Sequence, residues 1–117
     1  MTRRRALVVE DEVLVGMLLE EMLDELGYEL AALSTHLEEA LSLARTAAFD
    51  VAVLDINLNG RQSFPVADAI RMRGLPFLFA TGYGGRILGP AYKDVPIIQK
   101  PFSLDELRVA LAKAGVA

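Results

Sequence analysis

The sequence predicts an α/β fold, a (βα)5 doubly wound parallel sheet of five strands, and three observations carry that prediction. Five short apolar runs recur along the chain, segments of helical period lie between them, and the links are too short for anything but right-handed crossovers. Of 117 residues, 53% are hydrophobic and 24% charged. That is enough for one packed core and too little chain for two, so residues 1–117 read as one domain.

Ala6-Leu7-Val8-Val9 is continuous and rich in β-branched residues, as a strand buried on both faces should be. From Val13 to Leu26 apolar residues return at helical spacing (Val15, Leu18, Leu19, Met22, Leu26), acids take the other face, and Gly27 is a C′ stop. Tyr28 to Leu33 is the second strand. Thr35 with Glu38 reads as a capping box opening a helix through Leu37, Leu41 and Ala44.

Val51-Ala52-Val53-Leu54 is the third strand and ends in Asp55; a loop through Asn59 and Gly60 leads to a short helix beginning near Pro65. Pro76 to Ala80 and Val95 to Gln99 are the fourth and fifth strands, and Ser103 with Glu106 forms a second capping box for a last helix through Leu104, Leu107 and Leu111. Between Tyr83 and Tyr92 the glycines and Pro90 oppose a long helix, so the helix there is expected to be short, distorted or mobile.

Several function classes drop out. With no Cys there is neither a disulfide framework nor a thiolate metal site, and a reducing, cytoplasmic compartment is the default expectation. The longest uncharged stretch, Gly74 to Gly85, falls short of the ~18 residues a spanning helix needs, so membrane insertion is not expected. Net charge is −4, and the cations are dispersed apart from Arg3 to Arg5, which read as a solvated tail; direct nucleic-acid binding is disfavoured. The run Gly82-Tyr83-Gly84-Gly85 fits neither standard phosphate-loop pattern. His36, the single histidine, falls beside a helix N-cap, where an imidazolium is disfavoured, and is read as a surface or capping residue.

In such folds ligands sit at the carboxyl ends of the strands, and in the flavodoxin-like order 2-1-3-4-5 the second strand lies at the edge. The residues just after the other four runs are Glu10-Asp11, Asp55, Thr81 and Lys100, all polar or charged. Three converging carboxylates repel by roughly 4 kcal/mol per pair at ~4 Å and an effective dielectric near ~20, so a cation is expected beside them. Oxygen-only ligands favour Mg²⁺, then Mn²⁺ or Ca²⁺, and a site of this kind commonly completes its shell with a phosphate. Asp55 can then serve as nucleophile, Thr81 as a hydroxyl donor and Lys100 as a fixed positive charge.

At these positions the sequence resembles the response-regulator receiver domains of two-component signalling. VVEDE (Val8 to Glu12) is similar to the family's acidic pair, DVAVLDINLNG (Asp50 to Gly60) to the phosphoacceptor segment, FATG (Phe79 to Gly82) to the switch-threonine segment and QKPF (Gln99 to Phe102) to the lysine segment. The resemblance implies a stand-alone receiver, monomeric or weakly dimeric, whose Asp55 takes a phosphoryl group from a sensor histidine kinase or histidine phosphotransferase. Glu10, Asp11, Asp55 and the backbone carbonyl of Asn57 would hold the metal, with Thr81 as switch hydroxyl and Lys100 pairing the phosphate. Output would pass to a partner protein or drain phosphate from a shared kinase. PFLFATGY (Pro76 to Tyr83) resembles the FATGUY subgroup of single-domain regulators.

Two departures from the family pattern stand out. Ile97 replaces the usual Tyr or Phe three residues before the lysine, and the expected readout moves to a switch region of Gly82, Tyr83, Gly84 and Gly85. The proline usually found shortly after the phosphoacceptor is missing, replaced by Asn59 before Gly60, which is expected to loosen that loop. A small Mg²⁺-dependent phosphatase of haloacid-dehalogenase type would need a titratable acid at Asn57, which Asn cannot supply. An interaction module without phosphorylation would leave five filled chemical positions unused.

Overall fold

A computed structural model describes residues 3–82 and 89–115, and its main sheet has the expected topology. Strands β1 (Arg4–Val9), β2 (Tyr28–Ser34), β3 (Val51–Asp55), β6 (Phe77–Thr81) and β7 (Ile97–Gln99) lie in the order β2-β1-β3-β6-β7, every pair parallel. This is the flavodoxin-like 2-1-3-4-5 arrangement. The apolar runs are continuous because neither face of the sheet meets water; Leu7, Val9, Ala52, Leu54 and Phe79 point to one core, and Ala6, Val8, Val51, Val53 and Leu78 to the other.

Helices α1 (Val13–Glu25) and α4 (Leu104–Lys113) cover one face through Leu19, Leu23, Leu107 and Leu111, and α2 (Leu37–Thr46) and α3 (Phe64–Met72) cover the other through Leu37, Ala40, Val66 and Ile70. Gly27 ends α1 at φ +91°, the left-handed geometry that favours glycine at C′. On α4 the box forms: Ser103 Oγ accepts from Glu106 N and Glu106 Oε1 accepts from Ser103 N.

Four expectations need correction. Thr35 and Glu38 form no capping box; α2 starts after His36, Thr35 Oγ1 pairs with His36 Nδ1 at 2.8 Å, and Glu38 is drawn to Arg61 at 2.7 Å. In α1, Leu18 is 45% exposed and Leu23 takes the core position. Arg3 to Arg5 are not a free tail: Arg4 and Arg5 belong to β1, and Arg3 caps the carboxyl end of α1 by donating to the carbonyls of Asp24, Gly27 and Tyr28. The loop after Asp55 is not loose, because β4 (Asn57–Leu58) and β5 (Arg61–Gln62) pair antiparallel as a hairpin. Of the Tyr83–Tyr92 segment, the described part contains a 3-10 turn at Pro90–Tyr92.

Candidate functional site

The carboxyl ends of β1, β3, β6 and β7 bring Glu10, Asp11, Asp55, Thr81 and Lys100 to one end of the sheet. One ligand oxygen each from Glu10, Asp11 and Asp55 lies within 4.8 Å of the others. A cleft of about 150 Å³ opens over them, lined by Asp11, Glu12, Asp55, Asn57, Gly60 and Lys100. Glu10 lies behind that lining, 1% exposed, and meets it through Lys100.

Each side chain is placed by its strand. Asp55 is the last residue of β3; its Oδ2 faces Lys100 Nζ at 3.1 Å and its Oδ1 accepts from Asn57 N at 3.2 Å. Glu10 follows β1 and accepts from Glu12 N at 3.0 Å through Oε2, while Lys100 Nζ lies 2.6 Å from Oε1. That Oε1 atom is buried, and among the described residues the Lys100 ammonium is the group that compensates it. Lys100 follows β7, and its main-chain N–H donates to Thr81 O at 2.8 Å, which fixes the ends of β6 and β7 together. The Lys100–Pro101 peptide is cis.

The electrostatics divide along burial. Burial pushes Glu10 up to about 7 despite Lys100, and it raises Asp55 as well. Burial would also raise Asp11, but the N–H of Asn59 at 2.9 Å and neighbouring hydrogen bonds hold it below its ordinary value. Burial opposes the charge on Lys100, and the carboxylates of Glu10 and Asp55 more than offset this, holding it above the usual lysine value.

Three carboxylates against one ammonium leave excess negative charge. With oxygen donors throughout, the residues present fit a hard divalent cation. Asn57 is half-buried at the cleft edge, and Thr81 is buried at the end of β6. Gly82 is exposed just past β6, Ile97 is 36% exposed at the start of β7, and Tyr83, Gly84 and Gly85 lie outside the described residues. His36 is exposed at the α2 N-cap and is absent from the residues lining the cleft.

Three neighbours escape a reading based on strand ends. Ser63 is fully buried and donates its hydroxyl to the Asp55 carbonyl at 2.6 Å. Asn59 reaches Asp11, and Glu12 stands 3.7 Å from Lys100. The Asn59-Gly60 pair was a legible signal, since Asn-Gly between short extended segments marks a two-residue hairpin. Ser63 carries no comparable mark.

The comparisons agree with this geometry. The model of the response regulator receiver domain matches residues 6–112. The transcriptional regulatory protein PdtaR of Mycobacterium tuberculosis is 32% identical over 115 residues, covering 95% of this chain and 56% of PdtaR. The probable transcriptional regulator ycf27 of Guillardia theta is 32% identical over 94% of this chain and 44% of its own. The chain spans about half the length of the curated relatives it matches. Among solved structures, SdrG from Sphingomonas melonis Fr1 superposes with a TM-score of 0.87 at 37% identity, covering 97% of this chain and 98% of SdrG. The receiver domain of PhyR from Erythrobacter litoralis gives 0.85 at 25% identity, covering 97% and 91%. The BeF3-activated conformation of SdrG, from Pseudomonas melonis Fr1, gives 0.81 at 36% identity over the whole of both chains. Strand order, acidic cleft, sequence and superposition converge: this chain belongs to the response regulator receiver domain family of two-component signalling.

Proposed function

We propose that the protein works as a single receiver unit that takes a phosphoryl group onto Asp55 from a phosphohistidine donor, with Mg²⁺ held by Glu10, Asp11, Asp55 and the Asn57 carbonyl. The observation that carries this reading is the meeting of Asp55 with Lys100 at 3.1 Å inside a three-carboxylate cluster. When bound, the metal supplies charge compensation to the phosphoryl oxygens. A carboxylate oxygen of Asp55 attacks phosphorus, the P–N bond breaks, and its electron pair stays on the donor imidazole, which takes up a proton. Lys100 is already aimed at Asp55 and pairs with a phosphoryl oxygen as charge develops. The Thr81 hydroxyl, at the end of the adjacent strand, donates to another. That a related protein, SdrG, has a BeF3-activated conformation supports the assignment.

A histidine kinase or phosphotransferase is the proposed donor. Beside the cleft, Val13, Leu14, Met17 and Leu18 leave an exposed apolar strip on α1, the type of surface on which proteins dock. No helix among the described residues is long and apolar enough to cross a membrane. Output is proposed to pass through a protein partner or through removal of phosphate from a shared kinase. Placement in the FATGUY subgroup rests on the Pro76-to-Tyr83 motif. Incubation with acetyl phosphate and Mg²⁺ followed by intact-mass measurement tests the chemistry: a single phosphate adduct is expected, absent after chelation and absent from Asp55→Asn. An adduct that persists in Asp55→Asn sinks the assignment.

A further inference from the structure

Between β3 and α3 the chain does more than present Asp55. At the tip of the β4–β5 hairpin, Asn59 and Gly60 hold φ of 53° and 81°, the paired positive values of a type I′ turn. That turn aims the main-chain N–H of Asn59 at Asp11 Oδ2, 2.9 Å away. The Asn59 side chain points elsewhere: its Nδ2 donates to the Thr35 carbonyl just past β2, at 2.7 Å. One residue therefore ties the hairpin to the ends of β1 and β2.

Resting on the reading of Asp11 as a metal ligand, we propose that Asn59 is a positioning residue for that ligand, its main-chain amide fixing one carboxylate oxygen so that the other is presented to the cation. A carboxylate offers two oxygens and about four lone-pair sites, so an amide on Oδ2 leaves ample capacity for a metal. Asp11 is only half-buried, so packing alone does not fix its rotamer and the Asn59 amide adds a directional restraint. Partners that orient a ligand in this way commonly govern metal affinity by about 10- to 100-fold.

The role places two demands on residue 59: a main-chain N–H and a left-handed φ. Asparagine meets both, since it tolerates that region better than other residues with a Cβ, and its amide adds the strap to Thr35. Glycine meets both and lacks the strap. Proline, the residue usual at this place in the resembling family, meets neither, because it has no N–H and its φ is fixed near about −65°. The device belongs to the left-handed Asn-Gly hairpin of this chain. The Arg61–Glu38 pair beside the hairpin is exposed on both sides and contributes little to holding it.

Calorimetric titration with MgCl₂ of the full chain, Asn59→Gly and Asn59→Pro separates these demands. The glycine variant is expected within about threefold of the natural chain, the cost of one exposed hydrogen bond. The proline variant is expected to bind about tenfold more weakly. Equal affinity in the natural chain and a folded proline variant overturns the role of Asn59 while leaving the metal site intact. No magnesium binding by the natural chain overturns the metal reading itself. Should the proline variant fail to fold, amide exchange in the metal-free state decides: the Asn59 N–H is expected to exchange several-fold faster in Asp11→Ala than in the natural chain. Unchanged exchange in a folded Asp11→Ala overturns the proposal.

Discussion

Glu10 and Asp11 are neighbours in the chain, yet the first is buried against Asp55 and Lys100, an inner wall behind the cleft's lining, and the second stands with Glu12 at the cleft's lip, against the Asn59 N–H. On the inner wall the carboxylates are buried, their acidity is weakened, and an ammonium group is their main compensation. On the lip, Asp11 is half in water and a backbone N–H strengthens its acidity. Two acids one residue apart therefore store opposite electrostatic tendencies. The end of β1 makes this division: the Glu10 N–H still bonds to the Ser34 carbonyl beside it, and the chain bends at Asp11.

The largest test of that contrast is Lys100→Met, measured by urea unfolding with chelator present. It strands two buried carboxylates and is expected to cost about 3 kcal/mol at pH 8. The loss should shrink at pH 5, where Glu10 and Asp55 can take up protons. A loss under about 1 kcal/mol at pH 8 would mean that the inner wall is solvated like the lip.

Glu10→Gln sharpens the same contrast through pH. Glu10 has a folded value of about 7, above its ordinary 4.5, so the folded state holds the proton more tightly than the unfolded one. Its contribution to stability is thus greatest below pH 4.5 and is lost as pH rises through 7. In chelator, the natural chain should lose stability between pH 5 and pH 8 (about these values), and Glu10→Gln should flatten that slope. Magnesium affinity of the natural chain should fall as pH drops below about 7, since cation and proton compete for one carboxylate. An unchanged stability slope in Glu10→Gln would break the assignment of that titration to the inner wall.

The smallest effect belongs to the lip. Glu12 has a 66% exposed side chain 3.7 Å from Lys100, and Glu12→Gln should change stability by no more than about 0.5 kcal/mol. A shift as large as that of Lys100→Met would erase the distinction between wall and lip.

Much of this arrangement was legible from the residues alone. Strands buried on both faces announce themselves as unbroken apolar runs, and the polar residue ending each run locates the cleft, which is how Glu10, Asp55, Thr81 and Lys100 could be chosen together. Helix phase was less legible where apolar residues were plentiful. In α1, Val13, Leu14, Met17 and Leu18 add to the inward set, and periodicity does not separate Leu18 from Leu23. Two Ser/Thr-x-x-Glu motifs read alike, and only one caps. Glu106 stays with Ser103, while Glu38 has a competing guanidinium from the hairpin, a partner more than twenty residues away in sequence. Ser63 was invisible for a related reason: its partner is a main-chain carbonyl, which every residue possesses.

The rings of Phe64, Phe79 and Tyr92 form one knot. Phe64 stacks on Tyr92 with centroids 5.1 Å apart, and Phe79 meets both edge-on, at 6.1 Å from Phe64 and 5.6 Å from Tyr92. Phe79 precedes Thr81 on β6, and Tyr92 sits in the 3-10 turn ahead of β7. Both ends of the crossover from β6 to β7 are thus clasped by the same third ring, and the entropy of bringing those ends together, which grows only as the logarithm of the intervening length, is already met by stacking. Evolution can lengthen or rewrite what lies between without unfastening the sheet.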